Sequence, residues 1–339
     1  MNLILPLLLL SLFTAPVLFG RSWTNSDGKS IQAEYVSSDG TTVQLMIGGK
    51  PVDYPLVKLS LADREFVTAQ TRPSKSAIST QTGEITDVKI GPRLFPAPED
   101  YYKDRVRKDC IEAMETGQFW PDSNPEPSEK WIAHDAEKDT CRFYVPASYD
   151  GSTAYGLFLW INASDPGGIP QHWFPVFDEM KLIAVSADHI GNDHPLLRRA
   201  HRSIDALTTA RARYKIDPKR RIVSGISGGG HMAMLTAALY PEQFLGAISH
   251  AAQSYLPGAA GSGHFPGLEL SDFKRGARGN LKWLVVSGDK DYNYAVIKET
   301  SKHWESVKLR YRFLEVPGME HTPCDAASLK QAIAWIEQP

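Results

Sequence analysis

Apolar and polar positions divide this chain of 339 residues into four stretches. From Leu3 to Phe19 nearly every position is apolar, broken only by Pro6, Ser11, Thr14 and Pro16, and charge returns at Arg21. The run is short for a bilayer-spanning helix, and its two prolines argue further against one. It predicts a secretory signal peptide over residues 1–20, cleaved near Gly20, and hence a secreted or periplasmic protein. The segment lacks a Lys or Arg after the amino terminus and lacks a clear small-x-small cleavage site. An uncleaved membrane anchor is therefore the rival, and the only membrane contact the sequence suggests.

Residues 21–72 follow the period of strands. Ile31 to Val36 alternates loosely up to the turn Ser38-Asp39-Gly40, Thr42 to Ile47 alternates again up to Gly48-Gly49, and Val52 to Leu56 makes a third short strand. Leu59 to Val67 then reads as a capped helical turn. Residues 73–98 hold Ser, Thr, Gly and four prolines with little apolar periodicity, the composition of a linker.

From 99 to 339 the pattern changes to uninterrupted apolar runs separated by helical spacing. The runs are Tyr155 to Ile161, Lys181 to Val185, Arg221 to Ser224, Leu245 to Ser249, Leu281 to Val286 and Tyr311 to Val316. Helices are expected over Leu196 to Tyr214, Met232 to Leu239 and Ala326 to Ile336. Continuous apolar strands alternating with helices describe an α/β domain with a mostly parallel sheet buried on both faces.

Composition adds limits. The chain is 42% hydrophobic, enough for a large core, and on length two domains fit. With 37 basic and 39 acidic residues the formal net charge is -2, which gives no reason to expect nucleic acid as a partner. Of the three cysteines, Cys110 and Cys141 are the more plausible disulfide pair in an oxidising compartment, leaving Cys324 over. No cysteines stand at metal-ligand spacing.

The chemistry centres on Gly225-Ile226-Ser227-Gly228-Gly229, between an expected strand and an expected helix. A serine hydroxyl is a weak nucleophile unless a base takes its proton and a third group holds the base. A sharp strand-to-helix turn exposes the hydroxyl, and glycines on either side leave room for it. The N–H of Gly228, at the helix start, is one oxyanion donor. The base is expected after the last strand, where Val316-Pro317-Gly318-Met319-Glu320-His321 supplies His321. The orienting acid belongs between them, in Ser287-Gly288-Asp289-Lys290-Asp291; Asp291 is favoured and Asp289 competes. A second oxyanion donor is expected from the backbone of Asn162, Ala163 or Ser164, in the loop after Trp160-Ile161. His231, Trp160 and His189 are candidates for substrate contact, and Trp173 and Phe174 could extend an apolar wall. Asp188-His189 with Asp193-His194 fits no strong ligand spacing, so neither a metal nor an organic cofactor is expected.

Two resemblances sharpen this reading. Arg21-Ser22-Trp23-Thr24, Asp27-Gly28, Ala33-Glu34 and Leu59-Ser60-Leu61-Ala62-Asp63 together resemble the SLA1-type homology domain one, which implies an SH3-like barrel and a possible protein or surface ligand. The run Ile216 to Gly230 with Tyr240-Pro241-Glu242-Gln243-Phe244, the Gly-x-x-Asp-x-Asn spacing of Gly288 to Asn293, and Val316 to His321 resemble the polyhydroxybutyrate-depolymerase and feruloyl-esterase group of α/β-hydrolases. That likeness covers about residues 150–339. It implies an α/β-hydrolase fold, a triad of Ser227, Asp291 and His321, and ester hydrolysis, but not a polymer substrate; the partner is a small-molecule or polymer ester, with the choice left open. The chain departs from the group in carrying His231 where Arg is common. A serine peptidase of the same fold would use the same residues. A binding protein on a hydrolase scaffold is the other alternative, and the intact order Ser, Asp, His argues against it.

Overall fold

The computed structural model describes residues 20–38, 42–71, 78–91, 138–194, 196–252, 256, 269–278 and 280–339. Residues 1–19, the linker residues 73–77 and 92–98, and residues 99–137 with Cys110 lie outside them. The chain divides into two compact units, Met1–Val67 and Thr68–Pro339. Among the described residues no helix is long and apolar enough to cross a membrane.

The first unit is a four-stranded antiparallel sheet in the order β1 (Arg21–Thr24), β2 (Ser30–Ser38), β3 (Thr42–Ile47), β4 (Lys50–Pro55), followed by helix α1 (Leu61–Thr71). Alternation in β3 sends Val43 and Leu45 inward, where they meet Trp23, Ala33, Leu56, Leu59 and Val67. The Trp23 indole N–H donates to Ala33 O at 2.9 Å, so its polar edge is satisfied inside this core. Ser60 starts α1: its hydroxyl accepts from Asp63 N–H at 3.3 Å and donates to the Asp63 carboxylate at 2.9 Å, a reciprocal cap. The other Asp63 oxygen pairs with Arg21 at 2.6 Å, and the Arg21 guanidinium lies 3.8 Å from the Phe66 ring centre. The antiparallel sheet agrees with the strand pattern of the sequence, and the expected helical turn is the 11-residue helix α1.

The second unit is built on an eight-stranded sheet in the order β12-β11-β10-β9-β7-β8-β6-β5. Its strands are β5 (Gly83–Lys89), β6 (Thr140–Val145), β7 (Tyr155–Ile161), β8 (Leu182–Ala187), β9 (Ile216–Ile226), β10 (Gly246–His250), β11 (Lys282–Ser287) and β12 (Tyr311–Glu315). Strands β7 to β12 pair in parallel, while β6 and β5 add an antiparallel edge. Helices α2 (Phe174–Met180), α3 (Leu196–Arg213), α4 (Gly228–Leu239), α5 (Leu270–Arg278), α6 (Tyr294–Ser306) and α7 (Ala326–Glu337) connect and cover it. This is the mostly parallel, helix-flanked sheet of an α/β-hydrolase fold.

Strand β7 shows why the runs read as uniformly apolar. Leu157, Leu159 and Ile161 enter one core with Leu207, Met232 and Trp304, whereas Phe158 and Trp160 enter the other with Trp173, Phe177 and Ile333. Both faces of the strand are buried, so no polar residue alternates along it.

Two expectations are corrected here. Residues 83–89, read as linker, form the edge strand β5 of the main sheet, and β6 is likewise an added strand. Only Ile85 and Val88 of β5 face inward, and a register shift between them spaces them by three instead of two. That bulge, with Asp87 at φ 57°, erases the alternation that would have marked the strand. The second correction is at Trp160. Its side chain is buried at the core centre, its ring edge-on to Trp173 at 4.8 Å, so it packs the core and does not form a binding wall. Cys141 is a buried free thiol on β6, where burial pushes its pKa up to about 12; Cys324 is also free and buried.

Candidate active site

The chain leaves β7 to one side into β8 and then returns to the other side of β7 as β9, so the strand order reverses between β7 and β9. The crevice beyond the carboxyl ends of strands at such a switch point is where open α/β sheets hold their ligands. Ser227 follows β9 directly, and Asn162 follows β7 directly.

Ser227 has φ 53° and ψ −125° and stands at the N-cap of α4. A residue with a side chain is strained there by about 1–3 kcal/mol, so its surroundings must over-determine it. They do. Its N–H donates to His250 O at 2.9 Å, its carbonyl accepts from His231 N–H at 3.1 Å, and α4 is buried along its whole length. The flanking glycines are required by contact. A Cβ on Gly225 would fall 2.1 Å from Gly229 O, and one on Gly229 would fall 2.0 Å from Ile161 O. The helix therefore begins at Gly228, four residues before the apolar stretch that predicted it.

Asp291 and His321 come together after β11 and β12. His321 Nδ1 is 2.8 Å from Asp291 Oδ1, and the Asp291 side chain is fully buried. The same carboxylate accepts from the Ser287 hydroxyl at 2.8 Å and from Asn293 N–H at 3.0 Å. Asn293 is in turn held by Ala251 O through its side-chain amide at 3.1 Å. The competitor Asp289 is exposed, and its carboxylate accepts from Gly318 N–H at 2.5 Å, closing the loop that carries His321. Among the described residues the Ser227 hydroxyl has no hydrogen-bond partner; the structure pairs His321 with Asp291 and sets Ser227 after β9, at the carboxyl edge of the same sheet.

The oxyanion candidates divide. Gly228 N–H is among the unpaired donors of the first helical turn. The loop after β7 lies against it, since the Asn162 peptide carbon would be 2.9 Å from a Gly229 Cβ. Within that loop Ala163 N–H is already taken by Asn162 Oδ1 at 2.8 Å, leaving the backbones of Asn162 and Ser164. His231 is buried in the first turn of α4. His189 is exposed and stands beside Asp165 and His194 instead of the His321 pair.

Three neighbours escaped the sequence reading. Tyr292 stacks on the His321 ring at 4.0 Å with 24° between planes while remaining 74% exposed, an aromatic surface on the base itself. Asn192 reaches over Gly228, where a Cβ would meet its Oδ1 at 2.0 Å. His250 lies wholly buried behind the nucleophile, its Nε2 3.0 Å from Ser224 Oγ, with Cys324 N–H donating to its Nδ1 at 3.4 Å. Burial, with a smaller effect from nearby His172, lowers its pKa to about 3 and keeps it neutral. Adjacency to Asp291 in sequence was a signal for Tyr292; Asn192 and His250 had none.

Residues 206–306 match the family model described as Esterase. This segment includes Ser227 and Asp291 and ends before His321. Among solved structures, the chain is similar to Est1E from Butyrivibrio proteoclasticus, with 17% identity and a TM-score of 0.47, covering 60% of this chain and 94% of that one. It is similar to S-formylglutathione hydrolase FrmB from Staphylococcus aureus, with 14% identity, a TM-score of 0.44, and coverage of 58% and 92%. It is also similar to the thermophilic esterase Est2 from Thermogutta terrifontis, with 16% identity, a TM-score of 0.40, and coverage of 60% and 88%. No curated protein matches the chain. The matched segment, seated on this sheet, supports an esterase that acts on carboxylic esters.

Proposed function

We propose that the protein is a secreted serine carboxyl-ester hydrolase that works through an acyl-enzyme on Ser227. The observation that carries this reading is the buried Asp291 carboxylate bonded to His321 Nδ1 at 2.8 Å, on the sheet edge that also presents the strained Ser227. With Nδ1–H committed to Asp291, Nε2 of His321 is left as the basic nitrogen. It takes the Ser227 proton as the hydroxyl oxygen attacks the ester carbonyl. Gly228 N–H and a backbone N–H of Asn162 or Ser164 receive the oxyanion. His321 then returns the proton to the departing alcohol, leaving the acyl group on Ser227. Water, activated by the same imidazole, releases the acid. Asp291 holds the ring in orientation and stabilises its charged form, as in other serine triads.

Exposed Tyr292 forms one wall for the ester, and His231 supports the turn from inside. The four-stranded unit closes in this reading into an SH3-like barrel that engages a protein or surface outside the cell. Residues 1–20 are the export signal. The test is turnover of a short-chain aryl ester by Ser227→Ala, expected to fall roughly 10⁴-fold or more. Retained turnover would sink the assignment, and a higher kcat/KM on the amide of the same acyl group would make the enzyme a peptidase.

A further inference from the structure

Two loops at the carboxyl edge of the sheet carry ligand-type side chains that the proposed triad does not use. Asp165 lies after β7, and His189 and His194 lie after β8. Asp165 Oδ2 is 2.7 Å from His194 Nε2 and 3.6 Å from His189 Nδ1, and one donor atom from each of the three lies within 4.8 Å of the others. We propose that Asp165, His189 and His194 bind one divalent transition-metal ion of the Zn²⁺ type, which staples these two loops together beside Ser227.

The donor set selects the class of ion. Two imidazole nitrogens and one carboxylate oxygen suit zinc and its neighbours, whereas calcium and magnesium require oxygen donors. Ligands at about 2.0–2.1 Å around a tetrahedral zinc stand about 3.3 Å apart, and the two closer separations here bracket that value. The imidazole planes cross at 84° with centres 6.2 Å apart, so the rings approach from different directions. Each ligand is also held from behind. Asp165 Oδ1 accepts from Gly191 N–H at 2.9 Å, Arg202 donates to His189 O at 2.5 Å, and His194 N–H donates to Gly191 O at 3.1 Å. The first contact holds the carboxylate itself, and the other two fix the backbone that carries each imidazole. His189 takes φ 56°, a strained conformation that turns its ring back to Asp165. Side-chain exposures of 55%, 34% and 21% for His189, Asp165 and His194 leave room for water at the fourth position. On binding, neutral His194 carries its one ring proton on Nδ1, its Nε2 lone pair takes the metal, and the metal replaces the hydrogen bond between His194 Nε2 and Asp165 Oδ2.

Asn192, between the two histidines, donates to Ala163 O at 2.8 Å. The ion would therefore fix the loop that holds the oxyanion candidates, a consequence that rests on the esterase reading. Metal binding itself does not.

The test is calorimetric titration of ZnCl₂ into the untagged full chain, stripped of metal with a chelator, together with thermal melts. One site is expected, with a Tm rise of roughly 5 °C at a hundredfold excess over Kd. Asp165→Asn and His194→Gln should each weaken binding by about tenfold or more, and His303→Gln, on α6, should leave it unchanged. His189→Gln, at an exposed position, serves if either of the first two fails to fold. Absent saturable binding, or the same Kd in every loop variant, would overturn the site. Zinc binding by a chain inert toward esters would keep the site and refute the esterase reading instead.

Discussion

At Asp291 three donors converge on one buried carboxylate: the Ser287 hydroxyl, Asn293 N–H and His321 Nδ1. Two residues earlier, Asp289 stands in solvent and closes a turn. The sequence favours Asp291 by order and spacing, and the surroundings of the two carboxylates separate them physically. Asp291→Asn should lower kcat by roughly 10⁴-fold, because the amide can donate to Nδ1 and so favour the wrong tautomer. Asp289→Asn should change kcat by no more than a few-fold. Steady-state kinetics of the two variants on one aryl ester checks this, and equal losses would contradict it. The same contrast explains what the sequence could convey at this scale. Ser227, His321 and Asp291 each follow a recognisable strand, whereas Asn192 and Tyr292 act through positions that only the folded loops create.

At the scale of elements, the buried parallel strands were the most legible part, because burial on two faces makes them continuously apolar. Strand β5 was not legible, because its bulge hides an already short pattern. Its inward residues Ile85 and Val88, with Ile90 beyond, are buried. Removing them should cost roughly 5 kcal/mol of apolar burial and bare the edge of β6. A chain beginning at residue 78 should stay folded and active, whereas one beginning at residue 99 should melt several degrees lower or aggregate. Equal melting temperatures would mean that β5 is dispensable.

The end of β10 carries a second consequence. His250 is neutral when folded, with its pKa lowered to about 3, against about 6.5 for a free imidazole. Below about pH 6.5 the unfolded chain gains a proton that the folded chain refuses. The contribution of His250 is therefore complete above that pH and is lost as pH falls toward 3. Melting temperatures should drop along this range, and His250→Gln should flatten the drop while lowering Tm at pH 7.5. An unchanged slope would assign the acid limb to other groups.

At the scale of the molecule, the chain combines a small antiparallel unit with an esterase unit. Legibility again follows physics. The small unit was readable through its turns and its cap at Ser60 and Asp63, which are local features. A ligand for it was not, since recognition would depend on a surface that no local pattern encodes. The expectation of export rests only on the composition of the first residues. Within the second unit, the pattern of the chain marks one strained turn and two loops, on which the proposed reaction rests. The ester that reaches them depends on walls such as Tyr292, whose exposure is a property of the assembled edge.

In the proposed function Ser227 is the residue that becomes acylated. The measurement that tests it most directly is peptide mapping by mass spectrometry after reaction with a fluorophosphonate. A single stoichiometric adduct is expected on the peptide containing Ser227, absent from Ser227→Ala and strongly slowed in a His321→Ala variant. An adduct on another residue, or an active enzyme that takes up no label, would contradict it.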